Sequence, residues 1–459
     1  MFIKSIYITN YKLFKDTFSV DFNVPDGVTI GSGLTVLCGE NGYGKSSILE
    51  AIGLASQDYR AENLVIDCIN DVKQDIDINL HTTNFSVKSV LPDKTNTHTF
   101  NGVGFAFKAN KRKRTSGELY GSLIVSGRKI IPESEQKDYE LRCDGSTPWG
   151  QPRYEQPSLL FLDRNRIYQT RKGSTTATSF DYLLERLSLD NEKPLSDCKC
   201  DLESTHPLKK AFDKFEEKFG IPLCLYNRNP LNSMENAFVA SNTDEGIIKL
   251  NSLGSGYELF FSILWALYRS LSDKKDLIIL LDEPELHLHP NLQKDLISLL
   301  SGISSKVQVI ISTHSPLFIK QLYGINPMFH ILEKEDNIPV KKDIKKQKIT
   351  DYLSLNEVNF MAFGLYTEEY FNELYETLYR NAQQADGTVN SHNFDEKFFV
   401  NQKGLMADKP YRADNDSKKV SYITFVRNVI HHRVDYKKAG LECTNDEIMR
   451  AIDTMRSYL

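Results

Sequence analysis

The most informative stretch of this sequence is the octapeptide Gly39-Glu-Asn-Gly-Tyr-Gly-Lys-Ser46. It fits the pattern G-x-x-x-x-G-K-[ST], follows the apolar stretch Leu34–Cys38 and precedes a segment that begins like a helix. In such a strand, glycine loop and helix, backbone N–H groups turn inward around a phosphate and the helix directs its positive end at the anion. The pattern predicts an α/β nucleotide-binding unit.

Each residue type in the loop has a role in that chemistry. Lys45 is expected to reach the β- and γ-phosphates, and Ser46 to offer its hydroxyl to Mg²⁺. The glycines let the backbone approach the phosphates closely. The predicted nucleotide contacts are Gly39, Asn41, Gly42, Gly44, Lys45, Ser46 and Ser47.

Two acidic residues end a second apolar stretch. Ile278–Leu281 is typical of a buried parallel strand, and Asp282 and Glu283 follow it directly. A carboxylate at a strand tip can hold Mg²⁺, and its neighbour can polarise the attacking water. We assign the metal to Ser46 and Asp282, and catalysis to Glu283 together with Lys45.

A histidine and a serine-glycine turn complete the predicted site. Val307–Ser312 predicts another buried strand, and His314 follows near its tip, where an imidazole can bond to the γ-phosphate or the water. In Leu253–Glu258, the Ser255 hydroxyl and the backbone around Gly256 precede an apolar helix and predict an anion site. Since one loop already holds the phosphates, this site predicts a second nucleotide face in a head-to-tail dimer.

In this order, these elements resemble the ABC-type ATPase head of structural-maintenance-of-chromosomes, recombination and overcoming-lysogenization-defect proteins. Walker A, signature, Walker B and switch histidine correspond to Gly39–Ser46, Leu253–Glu258, Leu280–Glu283 and His314. The resemblance covers roughly residues 1–330. It implies an α/β P-loop head that binds ATP and Mg²⁺ and assembles through its heads. Gly254 stands where the family has a serine that contacts the γ-phosphate, so we expect slow turnover.

The sequence predicts two regions, an ATPase head over 1–340 with a β-rich insertion around 60–155, and a mostly helical region over 341–459. The cationic run Lys111–Arg114 predicts an exposed loop because like charges repel one another. Five lysines in 341–348 predict a second exposed loop or hairpin, and these basic segments are the places where DNA or RNA contact is expected. Other predictions are a Q-loop at Asp163-Arg164 and a loop between helices over 383–417.

The region after residue 330 distinguishes branches of the family. Leu355–Phe363 and Glu368–Tyr375 resemble PtuA-type ATPases of Septu and retron antiphage systems, which act beside an HNH nuclease partner, PtuB. The TOPRIM nucleases of the lysogenization-defect proteins need a glutamate-bearing strand and a later DxD strand. We expect no such DxD pattern after residue 330.

The segment Phe425–His432 also resembles the R-x(4–6)-H signature of HEPN ribonucleases. Arg427 and His432 have the required spacing, but on an ideal helix they point about 140° apart, whereas His431 shares a face with Arg427. The pair therefore predicts either a ribonuclease site or a structural or partner-docking role in a HEPN-like helical bundle.

Composition and charge exclude some classes of function. The net charge is -5, from 56 basic and 61 acidic residues, so the whole-chain basic character of a nucleic-acid-binding protein is absent. The sequence shows no membrane-spanning stretch, no signal peptide and no paired-cysteine framework, which predicts a cytoplasmic protein. The leading hypothesis is an ATPase that gates an HNH nuclease in antiphage defence. The alternatives are an ATP-switched ribonuclease using Arg427 and His432, and a RecF-like recombination ATPase acting on DNA.

Overall fold

The computed structural model describes residues 2–56, 76–83, 85–91, 94–100, 103–113, 119–132, 139–141, 158–162, 199–227, 237–243, 246–325, 327–335, 338–342, 353–412 and 415–459. The chain divides into two compact units, Met1–Lys342 and Asp343–Leu459. The first unit is an α/β unit that contains the predicted phosphate loop, and the second is mostly helical.

The described strands of the first unit form two six-stranded sheets, a four-stranded sheet and a two-stranded hairpin. Their bounds are β1 (Ile3–Thr9), β2 (Phe18–Asp21), β3 (Leu34–Cys38), β4 (Ile76–Thr82), β5 (Phe85–Leu91), β6 (Lys94–Phe100), β7 (Val103–Lys113), β8 (Leu119–Pro132), β9 (Tyr139–Leu141), β10 (Ser158–Leu162), β11 (Lys199–Cys200), β12 (Leu223–Asn227), β13 (Ala237–Thr243), β14 (Gly246–Lys249), β15 (Leu277–Asp282), β16 (Gln308–Ser312), β17 (Met328–Glu335) and β18 (Ile338–Lys342). The helices are α1 (Lys45–Ser56), α2 (Pro207–Phe219), α3 (Leu250–Leu253), α4 (Ser255–Asp273), α5 (Pro290–Ile303) and α6 (Pro316–Tyr323), with a 3₁₀ turn at Pro284–His287.

The central sheet has the strand order β10-β15-β16-β3-β17-β18, and all but the last pairing are parallel. Every residue of β3, β15 and β16 is buried, as expected for strands covered on both faces. Asp282 pairs with Ser312, and Ser312 with Leu37. The carboxyl ends of these three strands therefore meet at one edge, where α/β proteins bind ligands.

The second large sheet is antiparallel, with the order β2-β1-β4-β7-β8-β9. Apolar residues of β1, β4, β3 and β15 share one core with Ile48, Leu49 and Ile52 of α1. Helix α1 is thus packed against both sheets, which fixes the helix that begins at Lys45.

The expected loop at Lys111–Arg114 is wrong for its first three residues. Lys111, Arg112 and Lys113 end strand β7, where Lys111 pairs with Leu123 and Lys113 with Leu119. The backbone pairing of β7 with β8 extends through Lys113, so it orders this cationic run despite the charge repulsion that predicted a loop. Arg114 lies outside the described residues.

Helix α4 is held by an aromatic cluster that it shares with α2. Phe215 contacts the rings of Tyr257 and Phe261, and Phe219 contacts those of Tyr257 and Phe260. Such edge-to-face pairs add about 0.5–1.5 kcal/mol each beyond burial. The start of α4, where the serine-glycine turn lies, is therefore anchored by packing.

The second unit has its own hydrophobic core, built on Tyr370, Phe371, Leu374, Phe399, Val426 and Ile452, among others. Its elements are α7 (Leu355–Phe363), α8 (Glu368–Ala385), a π-helix (Asp395–Gln402), β19 (Ala407–Arg412), β20 (Asn415–Ser421), α9 (Tyr422–His431), α10 (Arg433–Lys438) and α11 (Asn445–Arg456). Helices α7, α8, α9 and α11 begin at side-chain caps, including a capping box of Thr444 and Glu447 at α11.

Two expectations for this unit are wrong. The loop expected over 383–417 contains the π-helix and most of the antiparallel hairpin β19–β20, because the two strands pair with each other and Phe398 and Phe399 of the π-helix are buried in the core of this unit. The second expectation was that no DxD pattern follows residue 330, but Asp414-Asn415-Asp416 is such a pattern. This criterion therefore does not separate the chain from the nuclease branch.

Among the described residues, no group of three or more His, Cys, Asp or Glu side chains could hold a metal ion.

In the described part of the chain, no helix combines the length and the apolar character needed to cross a bilayer.

Candidate functional site

The phosphate loop lies between β3 and α1, and its glycines have backbone angles that other residues adopt at a cost. The φ angles are 131° at Gly39, 80° at Gly42 and 94° at Gly44. A Cβ at Gly39 would lie 2.2 Å from the Leu332 carbonyl oxygen, and one at Gly44 would lie 2.8 Å from the Phe14 ring. The loop is thus a close-packed cradle that only glycine permits at these two positions.

Lys45 points into this cradle and is 4% exposed. Its Nζ donates to the carbonyl oxygens of Gly39 and Glu40, both at 2.8 Å. Burial lowers the pKa of Lys45, and the nearby Glu283 carboxylate acts in the opposite direction. A buried ammonium held by neutral carbonyls gains strongly from an anion, which is the role predicted for this residue.

Ser46 and Asp282 are brought together as the metal prediction requires. Ser46 Oγ donates to Asp282 Oδ1 at 2.9 Å, and the Ser312 hydroxyl donates to the same oxygen. Asp282 is almost fully buried, and this burial raises its pKa. Ser312, which the sequence argument did not single out, orients the carboxylate from the neighbouring strand. Its position at the end of an apolar strand was the available signal.

Glu283 and His314 face each other across the ends of β15 and β16. Nδ1 of His314 lies 3.2 Å from Oε1 of Glu283, within ion-pair distance, although it makes no hydrogen bond within the described structure. Glu283 has a φ of 47°, in the left-handed region, and its N–H donates to the Ser312 carbonyl at 3.0 Å. Strain of this kind is held in place at functional sites.

Glu285 and Thr313 are two further site residues that the sequence argument missed. Glu285 is buried beside the predicted pair, and its Oε1 accepts from the Thr313 hydroxyl at 2.5 Å and from the His314 N–H at 3.3 Å. Thr313 also donates its N–H to the Leu37 carbonyl at 2.9 Å. The only hint in the sequence was a third acidic residue so close to a buried strand.

The remaining loop residues differ in exposure. Asn41 and Gly42 are exposed, whereas Ser47 is buried in the first turn of α1. Backbone N–H groups of a first helical turn have no acceptor within the helix, which leaves those of Lys45, Ser46 and Ser47 directed at the loop.

The serine-glycine turn lies between helices α3 and α4. Gly254 separates the two helices with φ 126° and ψ 147°, a conformation that is almost restricted to glycine. Ser255 is the first residue of α4, and Gly256 is buried, its Cβ position lying 3.0 Å from Leu288 and Leu292. The backbone at position 254 explains why glycine replaces the serine of the family pattern.

The predicted residues of the second unit have local partners. Arg427 lies over the Tyr375 ring at 5.0 Å, and His431 Nε2 lies 3.1 Å from Asn372 Oδ1. Burial and then the Arg427 charge lower the pKa of His431. His432 is exposed and follows the end of α9 with non-helical angles. Arg427 and His431 therefore share one face, while His432 lies beyond the helix. The Q-loop residues Asp163 and Arg164 are outside the described residues.

The AAA ATPase domain family matches residues 1–142 and 163–319, which is more than half of the chain. The chain belongs to this family. The match includes the phosphate loop, the turn at Gly254–Gly256, the segment from Asp282 to Glu285, and His314.

Individual relatives are more distant. A Septu protein PtuA from Bacillus thuringiensis is 25% identical over 67% of this chain and 72% of its own length. An OLD nuclease from Thermus scotoductus is 23% identical over 69% of this chain and 59% of its length. A Septu protein PtuA from Bacillus mycoides is 23% identical over 100% of this chain and 57% of its length. The chain thus spans between about half and three-quarters of the length of these relatives.

Among solved structures, an SMC head bound to the C-winged helix domain of ScpA covers 75% of this chain at 11% identity, with a TM-score of 0.45.

Proposed function

We propose that this member of the AAA ATPase domain family hydrolyses ATP in a dimer of heads and thereby regulates a separate HNH-type nuclease in cytoplasmic antiphage defence. One observation carries the ATPase part of this proposal. Lys45, the Ser46–Asp282 pair and the Glu283–His314 pair converge at the carboxyl edge of one parallel sheet.

The donor set fits ATP with Mg²⁺. The glycine cradle excludes a Cβ at Gly39, and Lys45 supplies a buried cation for the β- and γ-phosphates. Mg²⁺ takes few protein ligands and completes its shell with phosphate and water, so the Ser46 hydroxyl and the Asp282 carboxylate suffice. When bound, the metal ion neutralises charge that develops on the phosphates.

Glu283 and His314 would act on the water. The Glu283 carboxylate is placed to accept a proton from water, and the imidazole is near enough to orient that water or bond to the γ-phosphate. Burial of Glu283 at 7% exposure limits competing solvent. Both groups stand on strand ends, which hold them more firmly than free loops would.

The second predicted anion site requires a second copy of this chain. The turn at Gly254–Gly256 and the start of α4 offer N–H groups and the Ser255 hydroxyl to an anion, while the phosphate loop already serves one nucleotide. A dimer of heads lets this turn meet the γ-phosphate held by the other subunit. Higher oligomers are part of the same proposal.

The role in defence is supported by the relatives. Two of them carry the name Septu protein PtuA, and the match to one extends over the whole chain, second unit included. The second unit, with Arg427, His431 and His432 on its surface or near it, is the region where we place docking of the nuclease subunit. Direct DNA or RNA contact through local basic segments remains an expectation.

Nuclease assays test this division of labour. The purified chain with ATP and Mg²⁺ is expected to cleave neither RNA nor DNA alone, and to control cleavage by a co-expressed HNH-type partner. Loss of that control in Glu283→Gln, with the complex intact, is the expected result. Cleavage of RNA by the chain alone that disappears in Arg427→Ala would instead establish the ribonuclease alternative. Strong, salt-dependent duplex DNA binding would favour the recombination alternative.

A further inference from the structure

Glu285 is a buried carboxylate that the roles assigned so far leave unused. It is 7% exposed, and Oε2 has no hydrogen-bond partner within the described structure. Burying a carboxylate with one oxygen unpaired is costly, and burial accordingly raises the pKa of Glu285. The fold would be more stable with a neutral side chain here, so packing alone does not explain the acid.

The contacts of Oε1 point to a role in the site. This oxygen accepts from the Thr313 hydroxyl at 2.5 Å and from the His314 N–H at 3.3 Å. Both donors belong to the segment that leaves β16 and carries the switch imidazole. Glu285 therefore holds both the side chain before the histidine and the backbone of the histidine itself.

Glu285 is rigidly connected to Glu283. The two residues belong to one tight turn, in which the Leu286 N–H donates to the Glu283 carbonyl at 3.2 Å and the Leu288 N–H to the Glu285 carbonyl at 3.1 Å. The turn carrying Glu283 and the segment carrying His314 thus have a direct side-chain link through Glu285.

We propose that Glu285 is a positioning residue that sets the separation between the His314 imidazole and the Glu283 carboxylate by accepting hydrogen bonds from Thr313 and His314. This inference rests on the proposed ATPase function of Glu283 and His314. What Glu285 supplies is an acceptor oxygen of fixed position. A glutamine at the same place retains such an oxygen, and an alanine does not.

Four variants separate this role from others. Glu285→Gln keeps the acceptor, Glu285→Ala removes it, and Thr313→Val removes one donor with little change of shape. Ser315→Ala is the matched control, because Ser315 directly follows His314 and its hydroxyl caps α6 by accepting from the Phe318 N–H, while no hydrogen bond joins it to Glu285 in the described structure.

Steady-state ATP turnover is the first readout. In Glu285→Ala, kcat is expected to fall by roughly 100-fold at unchanged KM, since a displacement of about 1 Å costs that much in rate. Thr313→Val loses less, although it also removes the acceptor of the Ser315 N–H. The double variant is expected to lose less than the product of the two single losses, because Thr313 and Glu285 share one hydrogen bond. Glu285→Gln and Ser315→Ala are expected to stay within about threefold of the unsubstituted chain.

The second readout does not need turnover. The imidazole Cε1–H resonance of His314, identified by its loss in His314→Gln, reports the surroundings of the ring in the nucleotide-free chain. It is expected to shift in Glu285→Ala and Thr313→Val and to keep its position in Glu285→Gln. This readout tests the role of Glu285 even if the chain shows no ATP turnover. The absence of turnover would contradict only the proposed ATPase function.

Two outcomes would overturn the inference. Glu285→Gln as slow as Glu285→Ala would show that the negative charge matters and not the acceptor. An unmoved His314 resonance in both Glu285→Ala and Thr313→Val would show that the contacts do not position the ring. If Glu285→Ala fails to fold, Glu285→Gln and Thr313→Val still give both readouts.

Discussion

At the scale of single residues, burial sets the charge properties of the site. The same loss of hydration lowers the pKa of Lys45 and raises those of Asp282 and Glu285. The charged form of each group is therefore less stable in the protein than it would be in water. A bound anion beside Lys45 and a bound cation beside Asp282 relieve these costs, so ATP with Mg²⁺ is expected to stabilise the folded head.

The phosphate loop gives a matched pair of glycine substitutions. Gly39→Ala places a methyl group 2.2 Å from the Leu332 carbonyl at a φ of 131°, whereas a Cβ at Gly42 meets no atom within 4 Å. We expect Gly39→Ala to abolish binding of a fluorescent ATP analogue. Gly42→Ala should bear only backbone strain of about 1–3 kcal/mol. Equal affinities for the analogue in the two variants would contradict this account of the loop.

Glu285 gives a prediction about pH. Because its pKa is raised above the ordinary value of 4.5, the folded state binds this proton more tightly than the unfolded chain. Stability therefore falls as pH rises from 4.5 through the raised value. Glu285→Gln is expected to raise the Tm at pH 7, with the gain shrinking as the pH is lowered toward 4.5. A gain that is independent of pH would refute the electrostatic explanation.

At the scale of elements, the sequence predicted those parts of the head whose pattern is local. The strands β3, β15 and β16 are apolar runs that end in chemically distinctive residues, so their bounds and their role could be read directly. Strands β11 to β14 and the hairpin β19–β20 were missed, because short mixed segments form strands only when a partner from elsewhere in the chain pairs with them. Glu285 and Thr313 were missed for a similar reason, since their contact joins the segments that follow two different strands.

The break between α3 and α4 gives a prediction at this scale. Gly254→Ser restores the serine of the family pattern, but the backbone angles at this position are almost restricted to glycine. We expect the variant to lose about 1–3 kcal/mol of stability by chemical denaturation and to gain no ATP turnover. The control Gly302→Ala, at an open position within α5, is expected to be neutral or stabilising. Faster turnover in Gly254→Ser would show that the missing hydroxyl, and not the backbone, limits the enzyme.

At the scale of the whole molecule, the chain combines a head that carries the proposed ATPase site with a unit that has a separate core. The head could be assigned from sequence because phosphate chemistry demands fixed residue types at fixed spacings. The second unit could not, since a helical bundle is specified by apolar patterning that many functions share. The role of the second unit therefore does not follow from its fold.

The proposed ATPase function is tested by measuring ATP binding and turnover. The unsubstituted chain is compared with Glu283→Gln and Lys45→Ala. We expect turnover in the unsubstituted chain, and a loss of at least about 100-fold in Glu283→Gln with ATP affinity retained, because this variant removes the base and leaves the cradle. Lys45→Ala should lose ATP binding itself. Turnover in Glu283→Gln at the unsubstituted rate, or tight ATP binding by Lys45→Ala, would contradict the account.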